Sequence, residues 1–556
     1  MDKTLLDLPR ELLVEILKDL EYREVARCRR VCTLLNSLID TSSALLYLIE
    51  LGVEGLIDGR PGGCCTSERL AQLLERRKRW LTLDWSHVHS LAPQEVIPQS
   101  PLPYELQGGT FLNVRNRAGQ VVINRTLLPT RADPHSEHTN HVLDMHALDI
   151  TADLTQDLLV MLDVLGRVKV WSLSTYAAHP KAAEPVLRPE GSPVLIVTAA
   201  LYIAHDLVAL VEWSDSVYVT IWNWRTGRTI LLGNGSSLPY LATGLAWLSP
   251  RAFVLADASR GELAVFSLHG IDCISSPGPR SFHNLPACAR LQLPRIDRGW
   301  HISHFQLDTT PLLAELPRGA AFAPAPDAHV VVFTLQYVTH NHRRVSSRYM
   351  GFVHSRYLME WLDARPEGEP PRVVPWTEWG PRNTRVMTRT LTGAAFARYV
   401  YGQKVVYSRH RPRPWRQLIS VYDFNVRPRR IAAIRAGSSS APSGGMTLVD
   451  DESELEDYTG AETSKQAYVE VVDWPTVIRR DSQSALQCHP FVEDVESSLP
   501  YVETCRLVDA GGPGVPEEEG LQLQGAQFMM DEDRLIELRM YGEGDAAADS
   551  VRVYTL

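Results

Sequence analysis

The sequence predicts an α+β multidomain chain in which a small N-terminal helical module and a connector helix precede a large all-β domain. Three observations carry that prediction. Leucine-rich stripes at helical spacing fill residues 5–51 and 67–83 and then almost vanish. Beyond residue 103 short apolar/polar alternations take over, divided by Gly, Pro, Asp and Asn. One alternation recurs, with successive ends at residues 173, 224 and 268. The expected divisions are 1–52 for the helical module, 53–103 for the helical connector and 104–556 for the β domain.

Composition narrows the function classes. With 44% hydrophobic and 22% charged residues among 556, a sizeable core is expected and wholesale disorder is not. Lys and Arg number 56 against 66 Asp and Glu, a net charge of −10 with no basic arm, so nucleic acid is not the expected ligand. No apolar run reaches the roughly 18 residues of a membrane span, so no membrane partner is expected. The opening MDKTLLDLPRELLVEILKDL lacks the apolar core of a secretion signal. Eight cysteines are scattered without a CxxC pair, which fits free thiols in a reducing compartment, cytoplasmic and/or nuclear.

In the first element, Pro9 suits a helix start and Glu11 complements the dipole there. Leu12, Leu13, Ile16, Leu17 and Leu20 form one stripe. A second runs through Val25, Cys28, Val31, Cys32, Leu35, Leu38 and Ile39, and a third helix is expected over 43–51, ending at Gly52. Three helices this short cannot bury all these stripes against one another. Some of the leucine must meet another surface, in this chain or in a partner.

The order of residues Leu8-Pro9-x-Glu11-Leu12-Leu13-x-Glu15-Ile16-Leu17-x-x-Leu20, then Val31-Cys32 and Leu38-Ile39-Asp40, resembles the F-box family. The resemblance covers about 40 of the 556 residues. It implies docking on a Skp-type adaptor and, through it, a cullin–RING ubiquitin ligase. The positions it carries over are Leu8, Pro9, Leu12, Leu13, Ile16 and Leu17, followed by Val31, Cys32, Leu35 and Ile39. One departure is Leu35, where many F-boxes have Trp or Phe; the smaller side chain is expected to weaken adaptor affinity without changing the docking mode.

The connector helix is expected to start at an N-cap, Ser67, with Leu70, Leu73, Leu74, Trp80 and Leu81 on one face and the basic residues 76–79 on the other. In the β domain the recurring alternation appears as VKVWSL (168–173), VTIWNW (219–224), LAVFSL (263–268), ISVYDF (419–424) and VRVYTL (551–556), with weaker copies at 357–362 and 469–474. Companion strands precede it at 157–163, 206–213, 252–257 and 329–335. These copies resemble degenerate WD repeats, which implies a six- or seven-bladed β-propeller. A pair of β-sandwiches or an irregular all-β domain is the competing fold. Residues 437–464 and 510–520, rich in Gly, Ser and acidic residues, read as mobile insertions.

No catalytic motif is present, so no enzyme, cofactor or metal is expected. His135, His138, His141 and His146 lack the spacing and the Cys or carboxylate companions of a metal set. Basic stretches at 409–416 and 427–430 would give one face a cationic rim, or a dispersed solvated surface. The arrangement is similar to the expanded F-box families of mushroom-forming fungi. It implies a substrate-receptor subunit of a Skp–cullin–F-box type ligase that holds a protein target on the propeller. The alternatives are an adaptor-bound scaffold without ligase activity and, in a different class, a propeller enzyme or small-ligand binder whose channel would use His138 or His141.

Overall fold

Four short helices, not three, build the N-terminal module: α1 (Arg10–Lys18), α2 (Tyr22–Cys28), α3 (Thr33–Thr41) and α4 (Ser43–Glu54). The computed structural model describes residues 5–59, 64–85, 87–91, 104–117, 119–131, 133–189, 196, 198–213, 217–233, 242–274, 278–316, 321–339, 345–362, 370–388, 398–411, 416–437, 467–479, 490–509, 523–541 and 550–556. Residues 93–103, 438–464 and 510–520, singled out in the sequence, lie outside them.

The second predicted stripe splits because residues 29–32 leave the helical path and Cys32 caps α3, its Sγ accepting from Leu35 N at 3.5 Å. Ser42 caps α4 in the same way. That helix runs past Gly52 and ends at Gly55, which takes the left-handed conformation at φ 69° that suits glycine. Gly52 has another task. A Cβ there would lie 2.2 Å from Cγ of Tyr22, so the missing side chain lets α2 pack on α4. Gly52→Ala sets a helix-propensity gain of about 1 kcal/mol against an overpacking cost of about 1–3 kcal/mol. A lower urea midpoint is expected; a higher one would mean that Tyr22 moves aside freely.

The core of the module is Leu13, Leu17, Val25, Leu35, Leu38, Ile39, Leu45, Ile49 and Val53. None of the described helices is long and apolar enough to cross a membrane. The apolar pair α3–α4 is bent by 84° and turns its apolar residues into this core.

The remainder is mostly β, with the connector helix Thr66–Thr82 and short helices at Ser355–Met359, Trp376–Asn383 and Pro428–Gly437 beside the sheets. Among the described residues it forms seven sheets of four or five strands and two of two strands. The first sheet takes Tyr104–Gln107, Thr110–Arg117, Gln120–Leu127 and Glu137–Leu143, and the second takes Ala147–Asp153, Leu158–Asp163, Val168–Ser172 and Val186–Leu187. The third starts with Ala199–Ala204, Leu207–Trp213 and Val217–Asn223, and the fourth with Ala242–Ser249, Ala252–Asp257 and Glu262–Ser267. Trp300–Thr309, Val330–Thr339 and Ser346–His354 open the fifth, and Val400–Tyr401, Lys404–Arg411 and Arg416–Asp423 the sixth. The last combines Leu523–Met530, Arg534–Tyr541 and Ser550–Thr555 with a strand from far earlier in the chain, His87–Leu91. That early strand lies in the stretch expected to be helical connector. It covers the edge that the C-terminal strand would otherwise leave open.

The five strong recurrences are each the third strand of their meander, and the companion strands are each the second. Burial alternates along Val168–Ser172 and is nearly complete along Glu262–Ser267. The weaker copy at 357–362 is not a strand: it forms a helix, Ser355–Met359, and a 3-10 turn, Glu360–Leu362. Its large residues Tyr357, Leu358, Trp361 and Leu362 repeat at four, the spacing of a helix face, and the Tyr357 and Trp361 rings meet at 6.1 Å. The copy at 469–474 lies on an outer strand, Tyr468–Val472, of the sixth sheet.

Packing links the sheets in chain order. Val114 and Met161 join the first to the second, Val160 and Trp222 the second to the third, and Val211 and Phe253 the third to the fourth. Val254 and Phe333 join the fourth to the fifth. One cluster with Phe352, Val421 and Tyr554 unites the fifth, sixth and seventh. Phe111 and Met529 then join the seventh to the first. The order of packing returns to its start.

Candidate docking face and its seat

The ten residues carried over by resemblance divide into two sets. Leu13, Leu17, Leu35 and Ile39 meet in the core of the module, all 6% exposed or less. Cys32 is half-buried against them. Leu8, Pro9, Leu12, Ile16 and Val31 are exposed, Leu12 at 50%, Ile16 at 41% and Val31 at 71%. Leu5, Leu6 and Leu34, which the sequence reading passed over, are exposed as well. The separation follows from helix geometry. Leu12 and Ile16 lie four apart, as do Leu13 and Leu17, and the two pairs are offset by one residue, about 100° around α1. Leu35, read as a contact position of reduced size, instead faces inward, so its size acts first on the packing of the module.

The opposite side of the module is held to the β body. A short strand after α4, Leu56–Asp58, pairs antiparallel with Phe322–Pro324, a segment between the first two strands of the fifth sheet. Ala325 N donates to Gly55 O and Gly59 N to Ala321 O, both at 2.9 Å. The connector helix α5 (Thr66–Thr82) bridges both bodies. It starts one residue before Ser67, with Cys65 as the cap. Its arginines are not on a solvent face. Arg77 donates to Glu54 at 2.6 Å and Glu50 at 2.7 Å, Arg76 to Asp533 at 3.0 Å, and Arg79 to the Leu556 carbonyl at 3.3 Å. Trp80 fills the cluster shared by the fifth, sixth and seventh sheets.

At the centre of this seat lies a buried ionic network. Arg430 donates to Glu54 Oε1 at 3.1 Å, Asp423 Oδ2 at 2.7 Å and the Asn425 carbonyl at 2.8 Å. Lys404 pairs with Asp423 at 3.2 Å, and Asn425 Nδ2 donates to Val53 O at 2.8 Å. Three carboxylates (Glu50, Glu54, Asp423) face three cations (Arg77, Arg430, Lys404), so charge balances. The basic stretch 427–430 is thus no rim: Arg430 is 1% exposed, and Arg427 lies over the Tyr22 ring at 5.4 Å.

The repeat supplies part of this network. In the second and third sheets the residue after the aromatic ties the third strand to the first turn, Ser172 to Asp157 at 2.6 Å and Asn223 to Asp206 at 2.9 Å. Asp423 occupies that place in the sixth sheet. There it binds Lys404, the first residue of the second strand, and also the arginine that holds the helical module.

Burial alone would raise the Glu54 carboxyl, but Arg430 and Arg77 outweigh it and hold it down at about 2. A carboxyl lowered from 4.5 on folding stabilises fully above pH 4.5 and loses that contribution as pH falls towards 2. About 2 kcal/mol of it should be gone at pH 3. Urea midpoints of wild type and Glu54→Gln at pH 6 and pH 3 check this: the gap between them should narrow by that amount.

Three of the four histidines of 135–146 go to separate partners. His138 Nδ1 lies 3.1 Å from Thr126 Oγ1, His141 stacks on Tyr176 at 4.3 Å, and His135 pairs with Asp133 at 3.0 Å. His138 and His141 sit on Glu137–Leu143, the edge strand of the first sheet. Among the described residues no group of three or more His, Cys, Asp or Glu is placed to hold a metal.

The split between a dry core and a wet apolar stripe, on helices of this length and order, coincides with a family match: residues 5–46 fit the model of the F-box domain. Residues 5–46 are an F-box domain. Such a domain indicates a Skp-type adaptor of a cullin–RING ligase as partner. No curated protein matches the sequence. Among solved structures the chain is similar to KlHsv2 with loop 6CD replaced by a Gly-Ser linker, at 10% identity and TM-score 0.25, over 46% of this chain and 67% of that one. It is also similar to the complex of KlAtg21 with the coiled-coil of AgAtg16, at 7% identity and TM-score 0.26, over 45% and 92%. Likenesses at that level carry no argument about the β body.

Proposed function

We propose that the chain is a substrate-receptor subunit of a Skp–cullin–F-box type ubiquitin ligase. The F-box docks on the adaptor through Leu8, Pro9, Leu12, Ile16 and Val31, with Leu13, Leu17, Cys32, Leu35 and Ile39 shaping that face from within. In this reading 1–52 is the F-box, 53–103 the connector and 104–556 a seven-bladed propeller of degenerate WD-like blades. Seven meanders and a packing order that comes back to the first sheet support the propeller. The propeller holds a protein target, and the complex supplies the chemistry.

The observation that carries the reading is an apolar stripe left wet on a module whose other side is locked to the β body. A receptor needs both. The wet stripe supplies association through burial, and the lock keeps the target at a fixed distance from the ubiquitin-charged enzyme, raising effective concentration. Co-purification of the tagged full chain from its own cells is expected to recover adaptor and cullin together. Adaptor without cullin would favour the scaffold role, and neither would overturn the proposal.

A further inference from the structure

The seat of the F-box also roofs a cavity. Residues at or just past the ends of the first strands of six of the seven sheets line a hollow of about 350 Å³. Leu106, Leu312, Tyr401 and Met530 wall it, and the two strands of the seat cover it with Ile57 and Pro324. A second hollow of about 100 Å³ shares Gln107, Thr310, Pro311, Leu312 and Arg398 with the first and continues towards Trp247. The larger volume falls in the range of small-molecule sites, which are mostly apolar with a few placed polar groups.

Three polar groups lining these hollows have no hydrogen-bond partner among the described residues, His329 Nε2 being one of them. Gln107 lines both hollows and is 7% exposed. Its Oε1 accepts from Leu154 N at 2.7 Å, which fixes the orientation of the amide and turns Nε2 away as a donor. That Nε2 is buried without a hydrogen-bond partner among the described residues. Trp247 Nε1, on a residue 3% exposed that lines the smaller hollow, is likewise buried and unpartnered. Leaving such a donor dry costs about 1–3 kcal/mol. The charged groups nearby do not ask for an ion. Arg398 is already neutralised by a bidentate pair with Glu105, both bonds at 2.5 Å. Asp531 and Glu532 line the far wall, where burial raises both carboxyls. The Gln107 amide and Trp247 indole donors, apolar walls and an Arg398 already paired with Glu105 favour a neutral acceptor over an anion.

We propose that this cavity is a binding site for a compact, neutral, largely apolar molecule carrying a carbonyl or ether acceptor, which takes its hydrogen bond from Gln107 Nε2 and from Trp247 Nε1. Because Ile57 and Pro324 belong to the paired strands of the seat, an occupant braces the F-box against the β body. The site does not depend on adaptor docking.

Saturation-transfer NMR on the full chain tests it, with 2-adamantanone as the neutral probe and 1-adamantanecarboxylate as its charged counterpart. Saturable transfer is expected from the ketone, at least tenfold weaker for the carboxylate. Leu312→Trp, which fills the hollow, should abolish it, and Gln107→Met should weaken it several-fold. Circular dichroism melts establish that each variant is folded, and the wild-type comparison of the two probes stands without either. Absence of saturable transfer, equal binding of the carboxylate, or identical transfer in wild type and both folded variants would each overturn the proposal.

Discussion

Replacing Leu12 and Ile16 together by aspartate is expected to lower adaptor affinity at least about a hundredfold while leaving thermal stability nearly unchanged. Each side chain, if dried on docking, contributes roughly 1.5–3 kcal/mol, and an aspartate in its place adds the cost of a buried, unpaired charge. The loss therefore exceeds the roughly 2.7 kcal/mol that corresponds to a hundredfold. Both residues are at least two-fifths exposed in the free chain, so folding has little to lose. Leu13→Ala is the informative contrast. It removes a side chain 2% exposed in the module core, and the expected cost there is about 2–5 kcal/mol of stability. Calorimetric titration with purified adaptor, beside melting curves, separates the two. Unchanged affinity in Leu12→Asp/Ile16→Asp would remove the docking assignment even if the fold proved intact.

Arg430→Met is expected to cost about 3–5 kcal/mol, because it strips a cation from two buried carboxylates at once. Glu54 and Asp423 are each no more than 6% exposed, and neither can turn to water. Arg77 and Lys404 remain, so the network keeps one partner for each carboxylate and the loss should stay within that range. The damage should also be directional: the bonds removed link α4 to the sixth sheet. Limited proteolysis should then release the helical module before it cuts the sheets. Adding Glu54→Gln to Arg430→Met should recover part of the loss, since it restores charge balance, Glu50 with Arg77 and Asp423 with Lys404. If the double variant is no more stable than the single one, the ionic account of the seat fails. Urea titrations of the three proteins decide it.

Much of the architecture could be read from spacing. Stripes three and four apart located the helices of the first 83 residues, and period-two runs located the second and third strands of most sheets, because burial on a regular element leaves that signature in any order of folding. The copy at 357–362 misled for a local reason: its ending imitated the repeat while its large residues repeated at four. Gly52 misled for a distant one. It looked like a helix end, and only the ring of Tyr22 against α4 explains a glycine inside the helix.

By itself the sequence determined which segments are apolar, on which period, and that the first forty residues hold more leucine than three short helices can dry. It also contained the residue order of the F-box. Which leucines stay wet was decided by tertiary structure, since Leu12 and Leu13 are neighbours of equal hydrophobicity and differ only in the direction they face. The same holds for Arg77 and Arg430. Their burial depends on Glu54, which lies 376 residues from Arg430 along the chain, and no local pattern reports a partner that distant. Periodicity is a property of one element, whereas burial of charge is a property of the surfaces that meet.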